Sequence, residues 1–243
     1  KEYFKFCKEG YTLLHLDHVP AIDEDQKNVD FLPLLKRALD AGYQSVMIDG
    51  SRLPLVQNIA VTQQAAELAA KYGSAVEAEL GAVAGHEGAG IGLSYEELFT
   101  SKKGFTKTEE AAQFARESGC DWLSVAAGSF HGAIAAATKH LKKPEARLDI
   151  AHIAELSAAT GHMPLVLHGG SGIKQEYILR AMENGIAKIN VATEIRQPYE
   201  FALEEKPGDI TYAQQKVYDR TRWVLHDFLH TTDNHDTLKG DSK

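Results

Sequence analysis

Along this chain, short runs of β-branched and aliphatic residues alternate with longer stretches whose apolar positions recur every three or four residues. Residues 12–18, 45–49, 75–80, 122–127, 164–168 and 188–191 have the length and apolar content of buried strands. Between them, residues 32–41, 56–72, 109–118, 150–160 and 175–184 carry the helical period. Each of these stretches is followed directly by a glycine, at 42, 73, 119, 161 and 185, which is the usual helix stop. Thr106 and Glu109 have the spacing of a capping box ahead of the third stretch. Residues 194–205 and 211–230 also predict helices, and the polar tail from Thr231 predicts fraying.

Strands alternating with helices at this spacing predict βαβ units and a parallel sheet. Polar residues recur at the ends of successive strands rather than at one switch point. That favours a TIM (β/α)8 barrel over an open doubly wound sheet. About six strands are found where such a barrel uses eight. The loop 84–105 and the C-terminal helices consume the remaining length. The expectation is one α/β barrel domain over residues 1–243, lacking the first two βα units, with 231–243 a flexible tail.

Composition narrows the function classes. The chain has 243 residues, 44% hydrophobic and 25% charged, enough for one domain with a sizeable core. Net charge is −8 and no basic stripe is visible, which argues against nucleic acid as a partner. Phosphate binding stays open, because backbone amides at a helix start hold anions without lysines. No apolar run is long enough to span a membrane. Cys7 and Cys120 stand far apart in no metal or redox motif, so free thiols and a cytoplasmic location are expected.

The candidate chemistry lies at strand ends. His18 closes Leu14-His15-Leu16-Asp17-His18, His131 lies in Ser129-Phe130-His131-Gly132, and His168 opens His168-Gly169-Gly170-Ser171-Gly172. On a barrel these ends converge on one rim, and three imidazoles with an open position make a catalytic divalent-metal site. Asp17 beside His18 is either an acid/base group or a loop carboxylate next to a satisfied histidine. His15 shares the strand face of Asp17, opposite in parity to His18, and is read as structural.

The turn 169–172 precedes a predicted helix, where exposed amides and the Ser171 hydroxyl can hold a phosphate. The bland reading is a tight βα loop. Glu77 and Glu79 share one strand face, and inward carboxylates in a barrel need a partner or a metal. Residues 81–92 hold five glycines around Glu87, either a mobile lid with an acid/base group or a surface loop. Asn190 to Thr193 end another strand with short hydrogen-bonding groups suited to a sugar phosphate.

Together these segments resemble the class II, metal-dependent fructose-bisphosphate and tagatose-bisphosphate aldolases. The similar stretches are 14–18, 45–51 with Leu53-Pro54, 76–81, 131–132, 164–172 and 187–193, in family order. The resemblance implies metal ligands at His18, His131 and His168, with Glu79 an alternative ligand. It implies acid/base roles for Asp17 and Glu87. Phosphate and triose contacts would fall on Gly132, on Gly169, Gly170 and Ser171, and on Asn190, Val191, Ala192 and Thr193. The implied cofactor is one catalytic zinc ion, with a second divalent or monovalent cation left open.

The implied reaction is reversible cleavage of a ketohexose 1,6-bisphosphate to dihydroxyacetone phosphate and glyceraldehyde 3-phosphate, in a homodimer or homotetramer. Departures are the insertion-like segment 21–31, Phe130 in place of a small polar residue, and a lean of 190–193 towards the tagatose type. The competing readings are a metal-free phosphate-binding barrel isomerase or synthase, and a truncated barrel with a structural or interaction role.

Overall fold

The structure, a computed structural model, describes residues 3–7, 10–81, 95–129 and 147–234. A single parallel sheet organises it. Strands β1 (His15–Pro20), β2 (Ser45–Asp49), β3 (Ala75–Leu80), β4 (Trp122–Val125), β5 (Leu165–Leu167) and β6 (Ile186–Ile189) are hydrogen-bonded in sequential order. After a short α1 (Tyr3–Phe6), the connecting helices are α2 (Phe31–Asp40), α3 (Leu55–Ala70), α4 (Tyr95–Ser101), α5 (Thr108–Glu117), α6 (Ile150–Ala159) and α7 (Gln175–Glu183). A pair, α8 (Thr193–Glu205) and α9 (Ile210–Trp223), packs together after β6. Among the described residues no helix is long and apolar enough to cross a membrane.

Period-2 alternation sorts the strand residues onto two faces. Register pairs Val46 with Val76, Ala78 with Leu123, and Leu123 with Leu165. These residues and Ile48, Val125 and Leu167 form one apolar face, all buried in the core cluster with Leu35, Ile59, Phe114 and Ile153 of the helices. The helices answer with the matching period: α2 buries Phe31, Leu35, Ala38 and Leu39. Gly42 and Gly73, which end α2 and α3, take φ of 88° and 64°, as helix-closing glycines do.

Sequential parallel order is the order of a barrel. Among the described residues, however, no ladder joins β6 back to β1; side chains reach β1 instead, Asn190 after β6 to Asp17 and His168 after β5 to His18. Four local expectations change. The first strand begins three residues later than predicted and ends two later, and the last begins two residues earlier. The stretch expected to be loop as far as residue 105 contains α4. Thr106 is not a capping residue: α5 has no side-chain cap, and Thr106 is buried between strands. Its hydroxyl donates to Leu80 O at 2.5 Å and accepts from Ala126 N at 2.8 Å, tying the ends of β3 and β4. The buried strand-end groups needed partners more than an exposed helix start did.

Candidate active site

The site starts with an irregularity in β1. Leu16 pairs with Val46 and Val19 with Ile48, so Asp17 and His18 together stand opposite Met47 alone. This is a β-bulge, and His18 takes φ of 47°. Histidine is among the residues that tolerate this region, but a non-glycine there costs about 1 kcal/mol or more, and such positions cluster at functional sites. The extra residue cancels the alternation. Asp17 and His18, which strict parity sends to opposite faces, both reach groups on the side of the sheet away from the helices.

His168 follows β5 on that side and is fully buried. Its Nδ1 lies 2.8 Å from His18 Nε2, with the rings edge to face at 4.6 Å between centroids. Two nitrogens on one tetrahedral zinc stand about 3.3 Å apart, so this spacing suits a shared ion. Glu79 Oε2 lies 3.7 Å from His168 Nδ1 and 3.9 Å from His18 Nδ1. Each imidazole has a carboxylate behind its far nitrogen: Glu77 Oε1 is 2.8 Å from His168 Nε2, and Asp49 Oδ2 is 3.4 Å from His18 Nδ1. A carboxylate on the outer nitrogen of a histidine fixes the tautomer that offers the inner nitrogen to metal. Asp17, His18 and His168 therefore form one group able to hold a metal ion, with Glu79 grouped with His18 and Asp49 at its edge.

A second group of potential ligands, His15, Asp17 and Glu77, sits alongside. It is less suited to a cation. Lys188 Nζ already lies 2.8 Å from Glu77 Oε2, and its positive charge opposes a metal there. His15 spends its Nδ1 on Ser45 Oγ at 2.8 Å, with Nε2 3.5 Å from both Asp17 Oδ1 and Glu77 Oε2.

Electrostatics keep the carboxylates ionised. Burial pushes Asp17 up, but the hydrogen bond from His15 and the charges of His18, His168 and Lys188 outweigh it and hold Asp17 well below the usual range. Glu77 is likewise raised by burial and more than compensated by His168 and Lys188, ending lowered. Asp49 is brought down to about 2: burial opposes the shift, while His18 and the hydroxyl and amide of Ser51 drive it. For His18, burial works against the charged form, yet Asp49 and the neighbouring carboxylates raise its affinity for a proton.

The glycine turn joins the site from the side. Gly170 N donates to Asn190 O at 3.1 Å, and Ser171 Oγ accepts from Glu194 N in the first turn of α8 at 3.3 Å. A Cβ on Gly170 would stand 2.6 Å from Ile189 Cγ2, so only glycine lets the turn lie against β6. Gly169, Gly170 and Ser171 thus adjoin Asn190 to Thr193, with Ala192 as the N-cap of α8.

Of the residues singled out from sequence, Asp17, His18, Glu79, His168 and Asn190 come together, and the turn 169–171 with 191–193 borders them. His131, Gly132 and Glu87 lie outside the described residues. Sequence reasoning missed Asp49 and Lys188 and set His15 aside. Parity held the signal: Lys188 shares a strand face with Asn190, and His15 with Asp17.

A parallel α/β sheet with a metal-suited cluster of histidines and carboxylates at the ends of its strands defines the class of protein. A family profile described as fructose-bisphosphate aldolase class-II matches residues 4–234, and the chain belongs to that family. It is 33% identical over 211 residues to a fructose-bisphosphate aldolase of Staphylococcus aureus (strain Mu50 / ATCC 700699), covering 87% of this chain and 63% of that protein. It is 38% identical over 184 residues to a 6-phospho-5-dehydro-2-deoxy-D-gluconate aldolase of Bacillus velezensis, covering 75% of this chain and 53% of the relative. The chain thus spans between about half and two thirds of the length of these relatives. Among solved structures, the YdjI aldolase from Escherichia coli K12 superposes with a TM-score of 0.68 at 28% identity, over 89% of this chain and 69% of that one.

Proposed function

We propose that this chain is a zinc-dependent ketose-bisphosphate aldolase, reversibly cleaving a ketohexose 1,6-bisphosphate of the fructose or tagatose type into two triose phosphates. The observation that carries the reading is the pair His18 and His168. Their inner nitrogens converge at 2.8 Å, a carboxylate stands behind each ring, and Asp17 stands beside them. His18, His168 and Glu79 would hold the metal, joined by His131. The ion would supply Lewis acidity at the substrate ketone, replacing a lysine Schiff base as the electron sink.

The protein supplies the rest. Asp17 is ionised and half-exposed, so it can take the proton from the C4 hydroxyl in cleavage and return one in condensation. Glu87 would move the proton at the carbon released. The amides of Gly169 and Gly170, the hydroxyl of Ser171 and the start of α8 would hold a phosphate, whose charge favours a helix N-terminus. Two further βα units between β6 and β1 would complete the eight-stranded barrel, and the side chains already reaching β1 support that closure.

The experiment is an aldol-cleavage assay of the chain on fructose 1,6-bisphosphate and tagatose 1,6-bisphosphate. The substrate of the Bacillus velezensis relative is included because the identity to it is the higher one. The expected result is cleavage of a ketose bisphosphate, abolished by chelator and restored by zinc. Cleavage of only the deoxygluconate phosphate would move the substrate within the family. Turnover indifferent to chelator, or triose phosphate isomerisation without cleavage, would overturn the reading in favour of a metal-free barrel enzyme.

A further inference from the structure

Lys188 is a part-buried lysine on β6, inside the polar face of the sheet, and no step of the proposed reaction uses it. Its ammonium makes two short contacts, with Glu77 Oε2 at 2.8 Å and with Asn190 Oδ1 at 2.7 Å. An ammonium only donates, so whatever touches it must present an acceptor. That constraint propagates along two branches.

On the first branch, the ammonium neutralises the fully buried Glu77, whose other oxygen faces His168 Nε2 at 2.8 Å. A carboxylate only accepts, and Glu77 stands nearer to Nε2 than the Asn190 amide nitrogen at 3.1 Å, so the imidazole proton sits on Nε2 and the bare Nδ1 turns to His18. On the second branch, contact with Oδ1 sets the orientation of the Asn190 amide. Its nitrogen then donates to Asp17 at 3.1 and 3.2 Å.

We propose that Lys188 is a positioning residue that sets, at once, the nitrogen His168 offers to metal and the amide that holds the Asp17 carboxylate. It touches neither the metal ligands nor the acid/base carboxylate directly. Without it, Glu77 loses its cation in a buried place, and the Asn190 amide loses the contact that anchors its oxygen, so its donor to Asp17 is held less firmly. The proposal rests on the aldolase reading for its catalytic branch only.

The test compares Lys188→Met and Lys188→Arg with Glu77→Gln in the full chain. Zinc affinity is measured by competition with a chromophoric chelator, and the His168 tautomer by imidazole nitrogen NMR. The kcat and KM for fructose 1,6-bisphosphate are measured at saturating zinc. Lys188→Met and Glu77→Gln should each weaken zinc binding by about 10–100-fold, the usual cost of losing an outer partner of a metal histidine. At saturating zinc, Lys188→Met should show a further loss in kcat of up to about 100-fold with KM little changed, because Asp17 is misplaced. Glu77→Gln should recover most of its kcat, and Lys188→Arg should retain both properties better than methionine.

Zinc affinity unchanged in Lys188→Met overturns the first branch, and kcat fully restored by zinc overturns the second. Should Lys188→Met not fold, the wild-type spectrum decides: a proton on His168 Nδ1 in the zinc-free chain defeats the proposal, and one on Nε2 supports it. A wild type that binds zinc but cleaves none of the sugars defeats the aldolase reading alone, leaving affinity and tautomer to judge Lys188.

Discussion

The two faces of the sheet obey opposite rules. On the helix side, Val46, Ile48, Ala78, Leu123, Val125, Leu165 and Leu167 are fully buried and apolar, and each is interchangeable in kind with its neighbour. On the other side, equally buried positions hold Glu77, Ser124 and His168, with Lys188 partly exposed. Burying aliphatic surface on the first face stabilises the fold at roughly 25 cal/mol per Å². Burying charge on the second costs free energy unless every charge is matched. The partners are shared: Glu77 faces both Lys188 and His168, Glu79 lies near His168, and Asp49 faces His18. One face therefore sustains the architecture, while the other is held in place by it and is free to do chemistry.

That contrast makes substitutions on the two faces separable. The largest effect belongs to the polar face. Asp17→Ala should lower turnover by about 10²–10⁴, the range of a general acid/base, while zinc content and melting temperature stay near wild type. Loss of zinc together with turnover would make Asp17 a ligand and blur the division of labour. On the apolar face, Leu123→Ala should cost about 2–5 kcal/mol in denaturant unfolding through the cavity it leaves. Its kcat per folded molecule should hold. A variant that keeps its stability but loses turnover would show that the faces are coupled.

The smallest effect lies away from both faces. Asp149 caps α6 by accepting from His152 N at 3.0 Å and pairs with Lys102 at 2.8 Å. Burial opposes these partners, but Lys102 and the His152 amide win and hold its carboxyl below the usual aspartate range. A carboxyl depressed on folding contributes stability that is fully present above its unfolded value and lost as pH falls through the folded one. Asp149→Ala should therefore cost about 1 kcal/mol at neutral pH. The gap to wild type should close below about pH 4, read from unfolding curves across pH. A gap that stays constant to low pH would assign the loss to packing instead of charge.

Much of the fold was legible because its signals are local. Each strand was found within a few residues from a short apolar run, and the helices from a three-to-four-residue period ended by glycine. The misplacements have local causes too. Residues 12–14 are apolar enough for a strand but precede the point where β2 offers a partner; the first pair is His15 with Ser45. Thr106 carried a capping pattern, but two strand ends claimed its hydroxyl. In the site, His18, His168, Asp17 and Glu79 were recognisable from motif and order. Asp49 and Lys188 were not, because a single aspartate or lysine in a strand says nothing until its opposite number is known.

The sequence by itself determined the alternation of strand and helix, the parallel sheet that follows from it, and the family, since these depend on residue type and spacing along one chain. It also placed a histidine at each of two strand ends that the structure brings face to face. Only the tertiary structure decided which atoms meet. Parity put Asp17 and His18 on opposite sides, and a bulge with a left-handed histidine overrode it. Whether His168 offers Nδ1 or Nε2 depends on Glu77, 91 residues away, and Glu77 in turn on Lys188, 111 residues further along the chain. Hydrogen-bond direction and charge compensation are properties of neighbours in space, and spacing along a chain carries no record of them.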